Sequence, residues 1–187
     1  LGRPKEAMEE IELALKLDPH NPLLKSLYGA DLVFVRRYDN AIMAAREALK
    51  MDPTAPVALS MLVIALHLTE KYEESLETVK KIWVSLYGNS EFGQVLDQVY
   101  AKEGYVSALN QGADALLIQS KTTYINPFEI TLLYLMAGNK EQAFKCLEWA
   151  YEVRDPNLPY LLFPIYDSLR DDPRFQELAR KMNLPYK

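Results

Sequence analysis

Cysteine, histidine and glycine are all scarce in this chain. One cysteine, Cys146, stands among 187 residues. That excludes an internal disulfide framework and a zinc site built from thiolates. The two histidines, His20 and His67, have neither a cysteine nor each other at ligand spacing. A catalytic zinc takes three protein ligands, so no metal and no cofactor is expected. Gly-rich phosphate loops, His-Glu-x-x-His and Gly-x-Ser-x-Gly are all missing, which leaves an enzyme as the least favoured class. No run of about 18 apolar residues occurs, so no bilayer-spanning helix is expected, and no export signal is visible at the start. With the single cysteine, that leans the reading towards the cytoplasm, or the periplasm for a membrane-anchored protein. The net charge of −5 argues against the basic face that nucleic acid needs. Strand-like alternation is absent and helix formers dominate, so the class is all-α. At 49% hydrophobic composition the chain can bury a sizeable core.

What is present is a repeat. Ala14-Leu15-Lys16-Leu17-Asp18-Pro19 returns 34 residues later as Ala48-Leu49-Lys50-Met51-Asp52-Pro53. The segments beginning at Pro4, Tyr38, Tyr72, Tyr105 and Lys140 are alike and start 34, 34, 33 and 35 residues apart. Their fourth residues are small (Ala7, Ala41, Ser75, Ala108 and Ala143), and seven later come Ala14, Ala48, Ile82, Ala115 and Ala150. Small side chains along one stripe let two helices approach closely. A period of about 34 residues is that of a stacked helix–turn–helix array.

These residues resemble the tetratricopeptide repeat. Gly29, Leu32, Tyr38, Ala41, Ala45, Ala48 and Pro53 stand at the family's places in the second period. The third keeps Leu66, Tyr72, Ser75 and Ile82 but has Tyr87 where the closing proline belongs, and the fourth and fifth are degenerate. The resemblance implies a right-handed superhelical array of antiparallel helix pairs with a C-terminal capping helix. The expected layout is an array over residues 1–155 and a Pro- and aromatic-rich cap over 156–187. Leu1-Gly2-Arg3-Pro4 reads as the turn inside a repeat, so a truncated first repeat, cut from a longer protein, is expected. Apolar residues on the helix after Pro4 would then be left for a dimer to bury.

Helices are expected over residues 4–17, 22–35, 39–51, 56–69, 72–86, 90–102, 105–120, 126–137, 140–153 and 173–182. Asp18-Pro19-His20-Asn21-Pro22 and Asp52-Pro53-Thr54-Ala55-Pro56 end one helix and begin the next, because proline fits only the first turn. Gly88-Asn89-Ser90, Gly104 and Gly138-Asn139 are further breaks. Glu12–Lys16, Glu77–Lys81 and Glu141–Lys145 have the spacing of helix-surface ion pairs. Asp172 before Pro173 reads as a helix cap rather than as half of a catalytic acid pair with Asp171. Cys146 reads as a small buried hydrophobe. Leu162, Phe163, Ile165, Tyr166, Leu169, Phe175 and Leu178 are expected to cover the last repeat, whose end would otherwise be bare. The stretch Leu169-Arg170-Asp171-Asp172-Pro173-Arg174-Phe175, followed by Leu178 and Arg180-Lys181-Met182, resembles the C-termini of bacterial multidomain regulators. In those proteins the repeats follow a cyclase, kinase or winged-helix domain, which implies a docking or sensing role in signalling.

In the tetratricopeptide family, first helices line a concave binding groove. Carried over, that groove would hold Ser26, Ala30, Phe34, Ser60, Ile64, His67, Gln94 and Gln98. Leu23 and Val57 stand where a carboxylate-clamping member would carry donors, so no such clamp is expected. A neutral, partly apolar groove suits a helix or an extended apolar peptide. The function implied is a non-enzymatic scaffold for a protein or peptide partner. A self-association module is one alternative. A small-ligand sensor with a pocket near Tyr100, Tyr105, Tyr124 and Phe128 is another.

Overall fold

The computed structural model describes residues 3–88 and 90–185. The readings made at Leu1, Gly2 and Asn89 lie outside them. The described residues are all helix and turn. They form α1 (Pro4–Leu17), α2 (Pro22–Phe34), α3 (Tyr38–Met51), α4 (Pro56–Leu68) and α5 (Tyr72–Tyr87), then α6 (Ser90–Glu103), α7 (Tyr105–Gln119), α8 (Pro127–Met136), α9 (Lys140–Glu152) and α10 (Pro173–Lys181). Helix bounds agree with the sequence reading to within one residue. The sequence reading left out two 3₁₀ segments, Leu158–Leu162 and Pro164–Leu169.

Local chemistry starts and stops these helices. Proline opens α1, α2, α4, α8 and α10. The Asn21 side chain accepts from the Leu23 and Leu24 amides at 3.0 and 3.2 Å, and Asp172 accepts from Arg174 at 2.9 Å. Such caps satisfy the free amides of a first turn. Turns between paired helices share one device. Arg36, Glu70, Gly104 and Gly138 all have positive φ, and each stands 34 residues after the last. At the three sites where the chain closes in the Schellman manner, the next amide reaches back to a first-helix carbonyl: Arg37 to Leu32 at 2.8 Å, Lys71 to Leu66 at 2.9 Å, Asn139 to Tyr134 at 2.8 Å.

The chain divides into two compact units, Leu1–Ser90 and Glu91–Lys187. In the first, consecutive helices pack as neighbours from α1 to α5, and α2 also packs on α4. The repeat's small positions are where the helices close: Ala41, Ala48 and Ser75 have no accessible surface. The Ser75 hydroxyl donates to the Val63 carbonyl of α4 at 3.3 Å. α4 has no Asp, Glu, Lys or Arg and is covered on nearly every side, as a middle helix must be.

In the second unit α8 holds the corresponding place. It packs against α7, α9 and the second 3₁₀ segment, and every residue from Ile130 to Met136 is buried. Gly112 of α7 lies so close to α6 that a Cβ there would meet the Leu96 Cδ2 at 2.8 Å. The tail seats on α8 and α9. Tyr166 lies against the Phe128 ring at 5.8 Å, and Lys140 donates to the Ser168 carbonyl at 2.7 Å. The Arg174 guanidinium grips both Glu141 oxygens at 2.8 and 2.9 Å and sits 3.9 Å above the Phe144 ring.

Two expected surface pairs are replaced by other contacts. Glu77 pairs with Lys80, one residue short of Lys81, and Glu141 is taken by Arg174 of α10. A guanidinium gripping both carboxylate oxygens outcompetes a flexible ammonium one turn away.

Candidate functional site

The eight first-helix residues divide by exposure. Ser26, Ala30 and Ile64 are buried at 1, 7 and 4% exposure. The Ser26 hydroxyl is spent on the Pro22 carbonyl of its own helix at 2.6 Å. Phe34, Ser60 and His67 are half-buried on α2 and α4, so each presents some surface. Gln94 and Gln98 are exposed on α6 of the second unit. Leu23 is exposed and Val57 half-buried, and neither side chain carries a hydrogen-bond donor.

His67 is the one ionisable side chain on α4. Burial pushes its pKa down to about 4, so the imidazole is neutral at pH 7. Its ring stands 5.8 Å from that of Tyr72, across the turn into α5. The half-open patch on α4 is therefore uncharged, and an apolar or neutral peptide meets it without the cost of stripping water from a charge.

A groove of about 590 Å³ lies on the other layer, between the second helices α3 and α5. Leu49, Leu62 and Leu66 line it from within, and Thr78 is spent on the Glu74 carbonyl at 2.8 Å. Arg46 of α3 pairs with Glu74 of α5 across it. The remaining rim is Lys50, Lys81, Glu73 and Glu77. This groove belongs to the second helices, whereas the expected binding face lies on the first. The available signal was the charge on neighbouring second helices, Arg46 and Lys50 in one period and Glu73, Glu74, Glu77 and Lys81 in the next.

The four aromatics considered for a ligand pocket have different surroundings. Tyr105 is buried, Tyr124 is 69% exposed, Tyr100 is half-buried, and Phe128 packs on Tyr166. Behind Phe128, buried Asp155 accepts from the Phe128 amide at 3.3 Å and from the Asn157 amide at 2.8 Å. Tyr166 is fully covered and its hydroxyl has no hydrogen-bond partner. Burial and the nearby Asp155 charge push that phenol well above its usual range. Cys146 is buried, which raises its thiol to about 11 and keeps it protonated at neutral pH. Among the described residues no three His, Cys, Asp or Glu side chains gather as metal ligands, and no helix is long and apolar enough to cross a membrane.

Stacked helix pairs with small residues at their closest approach define a helical-repeat scaffold. The tetratricopeptide-repeat family model matches residues 1–21, the stretch that holds α1. That match, the pairwise helix packing and the 34-residue register together support a tetratricopeptide-like helical repeat array. Tetratricopeptide repeats are protein-interaction modules, and the likeness points to that class of function. No curated relative matches the chain.

Proposed function

We propose that the chain docks a peptide or helix of a protein partner on the first-helix face of α2 and α4, without catalysing a reaction. The observation that carries this is α4 itself. It has no Asp, Glu, Lys or Arg, yet it leaves Ser60 and His67 half-open in a structure whose other helix faces are charged. Phe34 of α2 adds the aromatic edge. Ile64, at 4% exposure, supports the surface from below, so a charge placed there reports on folding rather than docking. The test is capture on the immobilised chain, parent beside Ser60→Glu. One protein enriched by the parent and lost with the variant supports docking at this face. Equal recovery by both sinks it.

The resemblance of the Leu169–Leu178 stretch supports placing this docking function in a bacterial signalling or transcriptional regulator. That stretch packs on α9 through Arg174, Glu141 and Phe144, which makes it part of the scaffold. A second reading, self-association, has its own observation. α1 has no buried residue, and Leu13, Leu17 and Leu23 are 52, 80 and 57% exposed near its end. An apolar cluster of that kind marks contact surfaces. Sedimentation over a range of concentrations separates the two. A dimer that Leu17→Glu dissociates favours self-association, and a constant monomer mass removes it.

A further inference from the structure

The groove between α3 and α5 carries an inference independent of the first-helix face. Its charges are sorted along its length. Glu73 and Glu74 stand in the first turn of α5, with Glu77 one turn on. Lys50 stands in the last turn of α3, and Lys81 lies in the second half of α5. Helices joined by short turns and packed as neighbours alternate in direction, so α3 and α5, both packed on α4, share one. The acidic end of the groove is therefore at their N-termini and the basic end towards their C-termini.

Some of these charges are already satisfied. Arg46 and Glu74 hold each other, and Glu77 holds Lys80. Lys50, Lys81 and Glu73 have no ion-pair or hydrogen-bond partner among the described residues, and all three are exposed. Between them Leu49, Leu62 and Leu66 give the groove its apolar lining.

We propose that this groove docks an amphipathic helix of a partner protein, antiparallel to α3 and α5. Charge complementarity fixes both the occupant and its direction. Helices favour acidic residues in their first turn and basic residues in their last, following the backbone dipole. Laid antiparallel, such a helix sets its acidic first turn against Lys50 and Lys81 and its basic last turn against Glu73. Its apolar stripe then lies over Leu49 and Leu62. A volume of about 590 Å³ is within the range of sites that enclose a few large side chains. Laid parallel, the same helix meets like charges at both ends, and such juxtapositions suppress wrong poses.

The test uses two synthetic stapled helices of identical length. One has glutamates in its first turn, a leucine stripe and lysines in its last turn. In the other, glutamine replaces every glutamate and lysine; a photoreactive group in the first peptide's last turn should label the Glu73 end of the groove and not the Lys50 end. Fluorescence anisotropy at low salt, on the full chain, gives both affinities. The first peptide is expected to bind roughly 10-fold more tightly than the second, because charge pairs across an interface set orientation. The double variant Lys50→Glu/Lys81→Glu should abolish that preference, while an unchanged melting temperature shows that the exposed substitutions leave the fold intact. In 1 M salt the preference should vanish. Equal affinity for both peptides, binding of neither, or a preference that survives the double variant would each overturn the proposal. So would a concentration-dependent dimer that occludes Lys50 and Lys81, since a second copy would then be the occupant.

Discussion

Two polar side chains, one buried and one half-buried, show what single residues contribute. The Tyr166 hydroxyl has no partner, so the folded state bears the cost of taking it out of water. Tyr166→Phe keeps the ring on Phe128 and removes that cost. The expected change is between zero and about 1 kcal/mol of added stability, read from the urea midpoint. A clear loss of stability would show that the hydroxyl is satisfied. His67 acts in the opposite sense through pH. Its folded pKa of about 4 lies below the ordinary value of 6.5. Between those values the unfolded chain binds the proton and the folded chain does not. Stability should therefore fall as pH drops from 6.5 to 4 and level off below, by about 1–3 kcal/mol in total. His67→Gln should flatten that part of the profile, measured by urea unfolding at a series of pH values. The sequence marked both residues, His67 as a groove residue and Tyr166 as part of the covering tail. It could not show that one imidazole is half-buried or that one hydroxyl is left over, because burial depends on neighbours from other helices.

Helices and turns were the most legible level. Proline at first turns and the alanine positions fix where each element begins, and these are local signals. The left-handed residues at the inter-helix turns were only half legible. Gly104 and Gly138 announce themselves, whereas Arg36 and Glu70 hold φ of 63° and 59° without being glycine. Their place in the 34-residue register forces that conformation. An L-residue bears a cost of roughly 1 kcal/mol there. Glu70→Gly should accordingly stabilise the first unit by about 0.5–1 kcal/mol, visible as a higher urea midpoint. A lower midpoint would mean that the Glu70 side chain supports the turn. The tail is the converse case. Its 3₁₀ segments were missed because their order comes from partners far along the chain. Asp155 is the clearest of these, reaching from the end of α9 to the first turn of α8. Asp155→Ala leaves the Asn157 amide without its acceptor, while the Phe128 amide keeps Asn126 at 2.8 Å, and should cost about 1–3 kcal/mol. Amide exchange at Asn157 should quicken with it.

At the level of the whole molecule, repetition explains what the residues do together. Each unit puts one uncharged or nearly uncharged helix, α4 or α8, in the middle and surrounds it with amphipathic ones. Fold class and helix order follow from that pattern, which is why they were legible in the sequence. The binding surface was less so. Of the eight expected groove residues, Ser26, Ala30 and Ile64 are part of the packing, because α2 and α4 pack on one another and consume the faces that carry them. Phe34, Ser60 and His67 are the part of the first unit's face that a partner can reach. Site-specific photo-crosslinking tests that face most directly. A photoreactive side chain is placed at Ser60, and in a control chain at exposed Lys121, and each is irradiated in source-cell lysate. Docking on the first-helix face predicts one protein adduct from position 60 and none from position 121. Adducts that are absent from both, or the same from both, would contradict it.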